Sequence, residues 1–545
     1  MVDSDVLFYF IALLISTPVS LFVSWKYKNK DSKRVATFLR GLFVLLNLNI
    51  MFFLIGAVLE SSKVHLEETD NFASSMGSRI KSLDYRPMHI SGYVFSNKDS
   101  DLNFSCDKIL YDDDSAIQVS PSIDLNKPND LKVLRDQLNI LRQENPAYNL
   151  FFQDDKHEQE KSILEDKWYK FCGSAVWLEK YGVYFMVNRI LYTPNKARNH
   201  PVISVLSGQV FDKDWQEIMD MKFPFSDLKF PTVLPHYIDM GVKQKKEILG
   251  AEDPRIILHE YTNNDGVTIQ EPLITFNALS QEVNWKRAMH IYRPLQDPKK
   301  IIRLAIEGLV PREKEKNWVP FETKDNHINF IYSFPLRVIK CSLVTGTCQK
   351  ISGPDFQDES QPNAGELRGG TNLLEIPSRH IPKDLRSRKF WFGIARSHIE
   401  NCGCVGQLYR PHAIIISRSQ DSTGDYSMNF VSNLFDFNIN PEPWFPGKST
   451  CEDGKLVLVP NSLTYFKDDY LGVTFSEADK ANKLVHTTGW LTYIQKVLKE
   501  AKPMLTDRTR DLGADGLLLN QCSTFMSDHY CYASKLSQGW DEVQS

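Results

Sequence analysis

From about residue 165 onward the chain is written as short runs of β-branched and aromatic residues, and nothing else in it constrains the fold as strongly. "VYFMVNRILY" (183–192), "VISVLSGQVF" (202–211), "PRIILHEY" (254–261), "PLITFNAL" (272–279) and "INFIYSFPLRVIKCSLV" (328–344) come first. "KFWFGIARSH" (389–398), "HAIIISR" (412–418), "KLVLVPNSLTYF" (455–466) and "YLGVTFSEA" (470–478) follow. Gly, Pro, Asn or Asp separates many of them, which is the punctuation of strands. Helical spacing is scarce: "DLKVLRDQLNILRQE" (130–144) has it, as does "GWLTYIQKVLKEAK" (489–502). Strands and turns alternating over roughly 350 residues exceed a single sandwich, so the expectation is an all-β propeller. Its units are uneven, with inserts such as 212–249.

The first sixty residues have a different texture. Val6 to Trp25 and Gly41 to Leu59 carry no charged side chain, and each approaches the roughly 20 residues that cross a bilayer. Between them Lys26, Lys28, Lys30, Lys33, Arg34 and Arg40 form a basic cluster, which the positive-inside rule keeps cytoplasmic. This predicts a single-pass type II protein, or a two-pass one, with its bulk on the lumenal side of a secretory membrane. Three parts are expected: an anchor over 1–60 (spans 6–25 and 41–59), a small helix-containing stem and leading subdomain over 61–150, and a catalytic domain over 151–545. Asn103-Phe104-Ser105 is an N-glycosylation acceptor. Cys341 and Cys348 bracket "SLVTGT", a hairpin tip that would set them opposite each other for a disulfide. Nine cysteines leave at least one thiol over. The net charge is −4 and basic residues do not interleave with aromatics, which excludes a nucleic-acid partner.

"GAEDPRIIL" (250–258) is the most pointed local stretch. A residue before proline is pushed toward extended backbone, where alternate side chains share a face. Asp253 and Arg255 should then project together, with Glu252 pointing the other way. A plain salt bridge at a strand entrance is the bland outcome. A carboxylate held stiffly at the rim of a sheet, kept ionised by a neighbouring cation, is the sharper one.

"ILGAEDPRIIL", "KNWVPFE" (316–322), "INFIYSFPLRVIKC", "LRGGTNLLEI" and "FWFGIARSHIENCGCVGQLYRPHAII" together resemble the fungal β-1,2-mannosyltransferases over nearly the whole chain. These are membrane-anchored enzymes that cap cell-wall mannans, glycoprotein glycans or mannosylated phospholipids. "EDPRI" is also similar to the signature of bacterial β-mannoside phosphorylases and β-mannosidases. Those enzymes are five-bladed propellers in which the motif aspartate is the catalytic acid/base. "VNRILYTP", "FNALSQEVNWKRAMHIYRP" and "DDYLGVTFSEADK" follow that family's order, although Glu477 stands where an alanine is expected.

The resemblance implies a five-bladed β-propeller in a Golgi membrane. It implies inverting transfer of mannose from GDP-mannose to a mannan, N-glycan or phospholipomannan-type acceptor, with no cofactor required and metal dependence left open. Inversion in one step needs a base for the acceptor hydroxyl and stabilisation of the departing diphosphate. Asp253 is the implied base and Arg255 its orienting partner. Arg189, Arg287, Arg368, Arg396 and His398 would form an anion-binding wall, and Asp479 would take donor hydroxyls. Trp318 or Tyr332 could stack on a sugar, although a tryptophan in "NWVPF" more often fills a core. Glu252 and Asn317 complete the substrate-binding set. A hydrolase or phosphorylase on the same scaffold, or a non-catalytic mannan-binding protein, are the alternatives. "YDDD" (111–114) imitates an Asp-x-Asp metal grip, and His398, Cys402, Cys404 and His412 imitate zinc ligands. Solvated acids and disulfides are the expected fates of these two sets, and no metal site is assigned.

Overall fold

The run 183–192 explains the architecture best, because none of its ten residues reaches solvent. A strand covered on both faces must be central, and its neighbours must supply two layers of side chains. The computed structural model describes residues 82–96, 105–127, 130–144, 164–224, 226–234, 248–263, 266–356, 363–420, 425–445, 447–467, 469–507 and 509–538. The chain divides into two compact units, 1–82 and 83–545. All of the first unit but Ser82, with both expected spans, lies outside the described residues, as does Asn103. The expected placement as a type II or two-pass Golgi membrane protein is corrected. Among the described residues no helix is long and apolar enough to cross a membrane.

In the second unit β1 (Trp168–Leu178), β2 (Val183–Tyr192) and β3 (Ile203–Phe211) form one antiparallel sheet. A second contains β4 (Glu252–Thr262), β5 (Thr268–Ser280) and β6 (Lys286–Tyr292). A third contains β7 (Val319–Lys324), β8 (His327–Ser333), β9 (Arg337–Ser342) and β10 (Thr347–Ser352). A two-stranded ribbon pairs Met221–Lys222 with Lys229–Phe230, and the largest sheet has 13 strands. It holds β11 (Arg388–Cys402), β12 (Val405–Ser419), β13 (Tyr426–Ser432), β14 (Lys455–Lys467), β15 (Tyr470–Glu477) and β16 (Ala481–Thr488). The early strands Arg86–His89 and Ala116–Val119 join its edge.

The expectation of mostly β structure holds, but that of a closed five-bladed propeller is corrected by this topology. β12 pairs in parallel with β14, Gln407–Tyr409 against Lys455–Val457, and so fuses what alternation alone would count as two sheets. A three-residue parallel ladder between strands so far apart in sequence leaves no periodic trace.

The long helices among the described residues are α1 (Asp130–Glu144), α2 (Trp490–Thr506) and α3 (Leu512–Ser537). Leu134 and Leu138, one turn apart, seat α1 against Trp168 and Tyr192. α2 buries Trp490, Tyr493, Ile494, Val497, Leu498 and Ala501 on one stripe, into the core shared by the large sheet. Asp511 caps α3, accepting from the Gly513 and Ala514 amides at 3.0 and 3.1 Å. Disulfide Cys402–Cys531 ties α3 to β11, Cys106–Cys522 ties it to the 3-10 turn Cys106–Lys108, and Cys404–Cys451 closes a loop. Cys341 and Cys348 are paired in register on β9 and β10 and disulfide-bonded. The remaining thiol is Cys172, which is buried. Glu477, the unexpected carboxylate on β15, accepts from the Glu442 amide at 2.9 Å and meets Lys483 at 3.7 Å.

Candidate active site

Two polar residues interrupt the buried strand β2, and one of them organises the site. Arg189 Nη1 donates to Asp253 Oδ1 at 3.0 Å, and Nη2 donates to Glu252 Oε2 at 2.9 Å. Its Nε donates to Ser204 Oγ at 3.0 Å, and Phe171 lies under the guanidinium at 5.2 Å. The other Glu252 oxygen meets Arg287 Nη1 at 2.5 Å, and Arg287 also donates to Asn277 Oδ1 at 3.0 Å. One buried guanidinium therefore grips two adjacent carboxylates.

That grip corrects the alternation expected for Glu252 and Asp253. β4 is bulged between Glu252 and Arg255, and Asp253 takes φ +51° rather than an extended value. Arg255 makes its hydrogen bonds elsewhere: Nε to Gly370 O at 2.6 Å and Nη1 to Pro254 O at 3.1 Å. Ser174 Oγ also donates to Pro254 O, at 2.9 Å. The facing strand β1 is bulged between Phe171 and Ser174, and the large sheet satisfies the amides this frees. Cys172 N donates to Ser476 Oγ at 2.8 Å, Gly173 N to Asn482 Oδ1 at 2.7 Å and Ala175 N to Ser462 Oγ at 2.8 Å. Cys172 (φ +51°), Asp253, Asn317 (+65°), Ala478 (+50°) and Asp479 (+49°) all hold left-handed backbone. Such conformations cost about 1–3 kcal/mol each and collect at functional sites.

Glycine permits the closest approaches. A β-carbon at Gly370 would lie 2.0 Å from Ile394 O, and one at Gly369 would lie 2.1 Å from Asn317 O. "RGG" thus lets the Arg255-binding carbonyl slide between β11 and the Asn317 turn.

Burial pushes the Asp253 carboxyl up, but Arg189, Arg255, Arg396 and Lys316 together outweigh it and hold its pKa at about 2. Asp479 lies in the turn between β15 and β16. Burial lifts its carboxyl to about 6 against the pull of Arg189, and the Asp253 charge adds to the rise. Burial and the neighbouring Arg396 push the Arg255 guanidinium down to about 10. Burial lowers Lys316, with Arg396 and Arg368 adding to the fall and Asp253 opposing it. Arg396 and Arg368 are register partners across an antiparallel ladder, a juxtaposition that like charges resist. Arg396 Nη2 donates to Asn317 Oδ1 at 2.9 Å, while its buried Nε and Nη1 have no hydrogen-bond partner among the described residues. His398 stacks on Tyr409 at 4.4 Å, and neither ring nitrogen is hydrogen-bonded among the described residues. Burial and Arg368 keep that ring below its ordinary pKa, hence neutral near pH 7.

The family model for beta-mannosyltransferases matches residues 105–294 and 295–530. "Beta-mannosyltransferase 3" of Candida albicans is 56% identical, with both chains covered in full. The chain belongs to the β-mannosyltransferase family. "Beta-mannosyltransferase 4" of Komagataella phaffii is 29% identical over 84% of this chain and 86% of its own. Among solved structures, the β-1,2-mannobiose phosphorylase of Listeria innocua is 13% identical. It covers 64% of this chain and 95% of its own at a TM-score of 0.30, too low to carry an argument.

In this mannosyltransferase the sheets bring Glu252, Asp253, Arg189 and Arg287 into direct contact. They set Arg255, Arg396 and Asp479 in the electrostatic field of Asp253. Arg368, His398 and Asn317 join through Arg396 and one another. Trp318 and Tyr332 are corrected as sugar platforms. They are 2% and 4% exposed, pack on each other at 5.3 Å and share the buried Glu315 as acceptor. Sequence reasoning missed Lys316, Cys172 and Gly370. Lys316 stands at the head of "KNWVPFE" and reads as a solvated loop lysine. Cys172 Sγ lies 3.7 Å from Asp253 Oδ1, a contact created by a bulge that spacing does not reveal.

The imitators of metal sites are occupied by protein partners. Cys402 and Cys404 are in disulfides, and His412 bonds Ser397 Oγ and Ser432 O at 2.9 and 2.8 Å. Asp112 contacts His89 and Asp113 accepts from Tyr111. Among the described residues no group of three or more His, Cys, Asp or Glu is arranged to hold a metal ion.

Proposed function

We propose that this β-mannosyltransferase moves mannose from GDP-mannose to a hydroxyl of a mannan, N-glycan or phospholipomannan-type acceptor, with inversion and formation of a β-1,2 linkage. The observation that carries this reading is the opposed pair Arg368 and Arg396 beside Lys316. Two buried Arg396 nitrogens there, Nε and Nη1, have no hydrogen-bond partner among the described residues. Adjacent cations with unused donors are stabilised by a multivalent anion, and a diphosphate leaving group is one.

Asp253 is the base, acting on the acceptor hydroxyl directly or through a neighbouring sugar hydroxyl. A carboxylate with a pKa of about 2 is by itself a weak base. A bound diphosphate offsets the charges of Arg396 and Lys316, which lets the Asp253 pKa climb toward the ordinary carboxylate range. Base strength therefore arrives with the donor. Glu252 and Arg189 fix the carboxylate in place, and Asp479 accepts from donor hydroxyls.

Incubating the protein with GDP-mannose and a mannan oligosaccharide tests this reading. New β-linked product with stoichiometric GDP supports it. Free mannose, or mannose 1-phosphate when inorganic phosphate is supplied, would assign the scaffold to hydrolysis or phosphorolysis instead.

A further inference from the structure

At the far end of β4 from Asp253 lies a cavity of about 200 Å³, lined by Tyr181, Tyr261, Ile269, Glu271, Leu295 and Gln296 among others. Tyr261 is eight residues along the strand from Asp253, roughly 27 Å at about 3.4 Å per residue. The cavity is below the roughly 300–1,000 Å³ of sites for drug-sized ligands, and suits a single ring.

Glu271 is its chemical centre. The residue is 1% exposed. Arg293 Nε and Nη2 both donate to its Oε1, at 2.8 and 2.5 Å, and its Oε2 has no hydrogen-bond partner among the described residues. A buried acceptor left bare costs about 1–3 kcal/mol, more when charged, so this oxygen favours a ligand that brings a donor. Charge narrows the choice. Arg293 already neutralises Glu271, and His259, opposite Glu271 on the ladder, has its pKa held at about 4 by burial and Arg293. A cation finds no net negative charge here, and an anion meets the carboxylate. A neutral hydroxyl donor fits. Tyr181, Ile269 and Leu295 line the cavity with apolar surface suited to the C–H face of a sugar. Tyr261 adds its ring edge while stacking on His259 at 5.1 Å, and Gln296 brings an amide to the exposed rim.

We propose that this cavity is a second carbohydrate-binding site, taking one pyranose unit of a neutral oligosaccharide on Glu271 and the two tyrosines. The unit held there is not the one that reacts, and the inference depends neither on the donor nor on the stereochemistry of transfer.

The test is calorimetric titration of the full chain with methyl α-D-mannopyranoside, in parallel with Tyr181→Ala, Glu271→Gln and Asp253→Asn. Loss of a hydrogen bond to a charged group predicts one binding event weakened about tenfold or more in Glu271→Gln. Tyr181→Ala should weaken the same event, and Asp253→Asn should leave it intact. Tyr181 is only part-buried and takes no part in the Glu271–Arg293 pair, so its variant stays informative if Glu271→Gln fails to fold. Absence of saturable binding at tens of millimolar probe, or unchanged binding in Tyr181→Ala, overturns the proposal. So does occupancy by tetramethylammonium or inorganic phosphate in place of the glycoside.

Discussion

Asp253 and Asp479 are the same residue type in nearly the same backbone conformation, φ +51° and +49°, and each lies in the field of Arg189 and Arg396. Their carboxyls are nevertheless driven apart, to about 2 and about 6. Asp253 receives a guanidinium hydrogen bond at 3.0 Å. Asp479 receives no hydrogen bond among the described residues, and burial governs it instead. What separates the two is the set of charges around them. Arg189 and Arg396 act on both, but Arg255 and Lys316 add to the pull on Asp253, whereas Asp479 also feels the Asp253 carboxylate, which pushes it up. In the linkage sense Asp253 adds to folding stability at neutral pH and Asp479 subtracts from it.

The largest test of this contrast is Asp253→Asn. Removing a positioned base should lower kcat by about 10²–10⁴ in a folded protein that still binds donor, and full activity would reject the assignment. Because the folded pKa lies below the ordinary aspartate value of 3.8, its stabilising share is present above that value and lost as pH falls toward 2. The variant should therefore also be about 2 kcal/mol less stable at pH 7, measured by denaturant unfolding.

Arg396→Gln should come next. With two unused N–H groups removed, donor KM should rise about 10–100-fold while acceptor KM moves little. An unchanged donor KM would remove Arg396 from the anion wall.

Asp479→Asn should act in the opposite direction on stability. A folded pKa raised from 3.8 to about 6 means stability is fully present below the unfolded value and lost as pH rises through 6. The variant should gain up to about 2–3 kcal/mol at pH 7, with the gain vanishing near pH 3.5. A destabilised variant at pH 7 would mean that contacts, rather than burial, dominate that turn.

Cys172→Ser is the smallest. A thiol is a weak donor, so activity should stay within about threefold. Burial and Asp253 push the thiol up to about 12, so the native side chain should resist iodoacetamide at pH 8.

How much of this was legible follows from the kind of signal each part carries. Strand content was, because β-branched runs persist whatever their partners. Asp253, Arg189, Arg287 and Arg396 were named through motif resemblance, and Arg189, beside Asn188, is a cation inside a largely apolar run. The shared grip on Glu252 and Asp253 was hidden, because a bulge changes which face a side chain takes without changing its spacing. Trp318 reads as a core residue ahead of a sugar platform, because a tryptophan near a proline more often fills a core than lines a cleft, and it is buried. Gly369 and Gly370 lay inside a quoted motif, yet their reason, backbone passing within contact distance of backbone, exists only in three dimensions. The parallel ladder of β12 with β14 left no mark either, and it is what joins the large sheet.

The Cys106–Cys522 bridge encloses 415 intervening residues, since its ends are 416 apart in sequence. Protease cleavage at any single bond inside that span yields two pieces that still migrate together on a non-reducing gel, and thiol reagents are what release them. Fragmentation seen only after reduction would thus report damage that ordinary size analysis of the intact protein conceals.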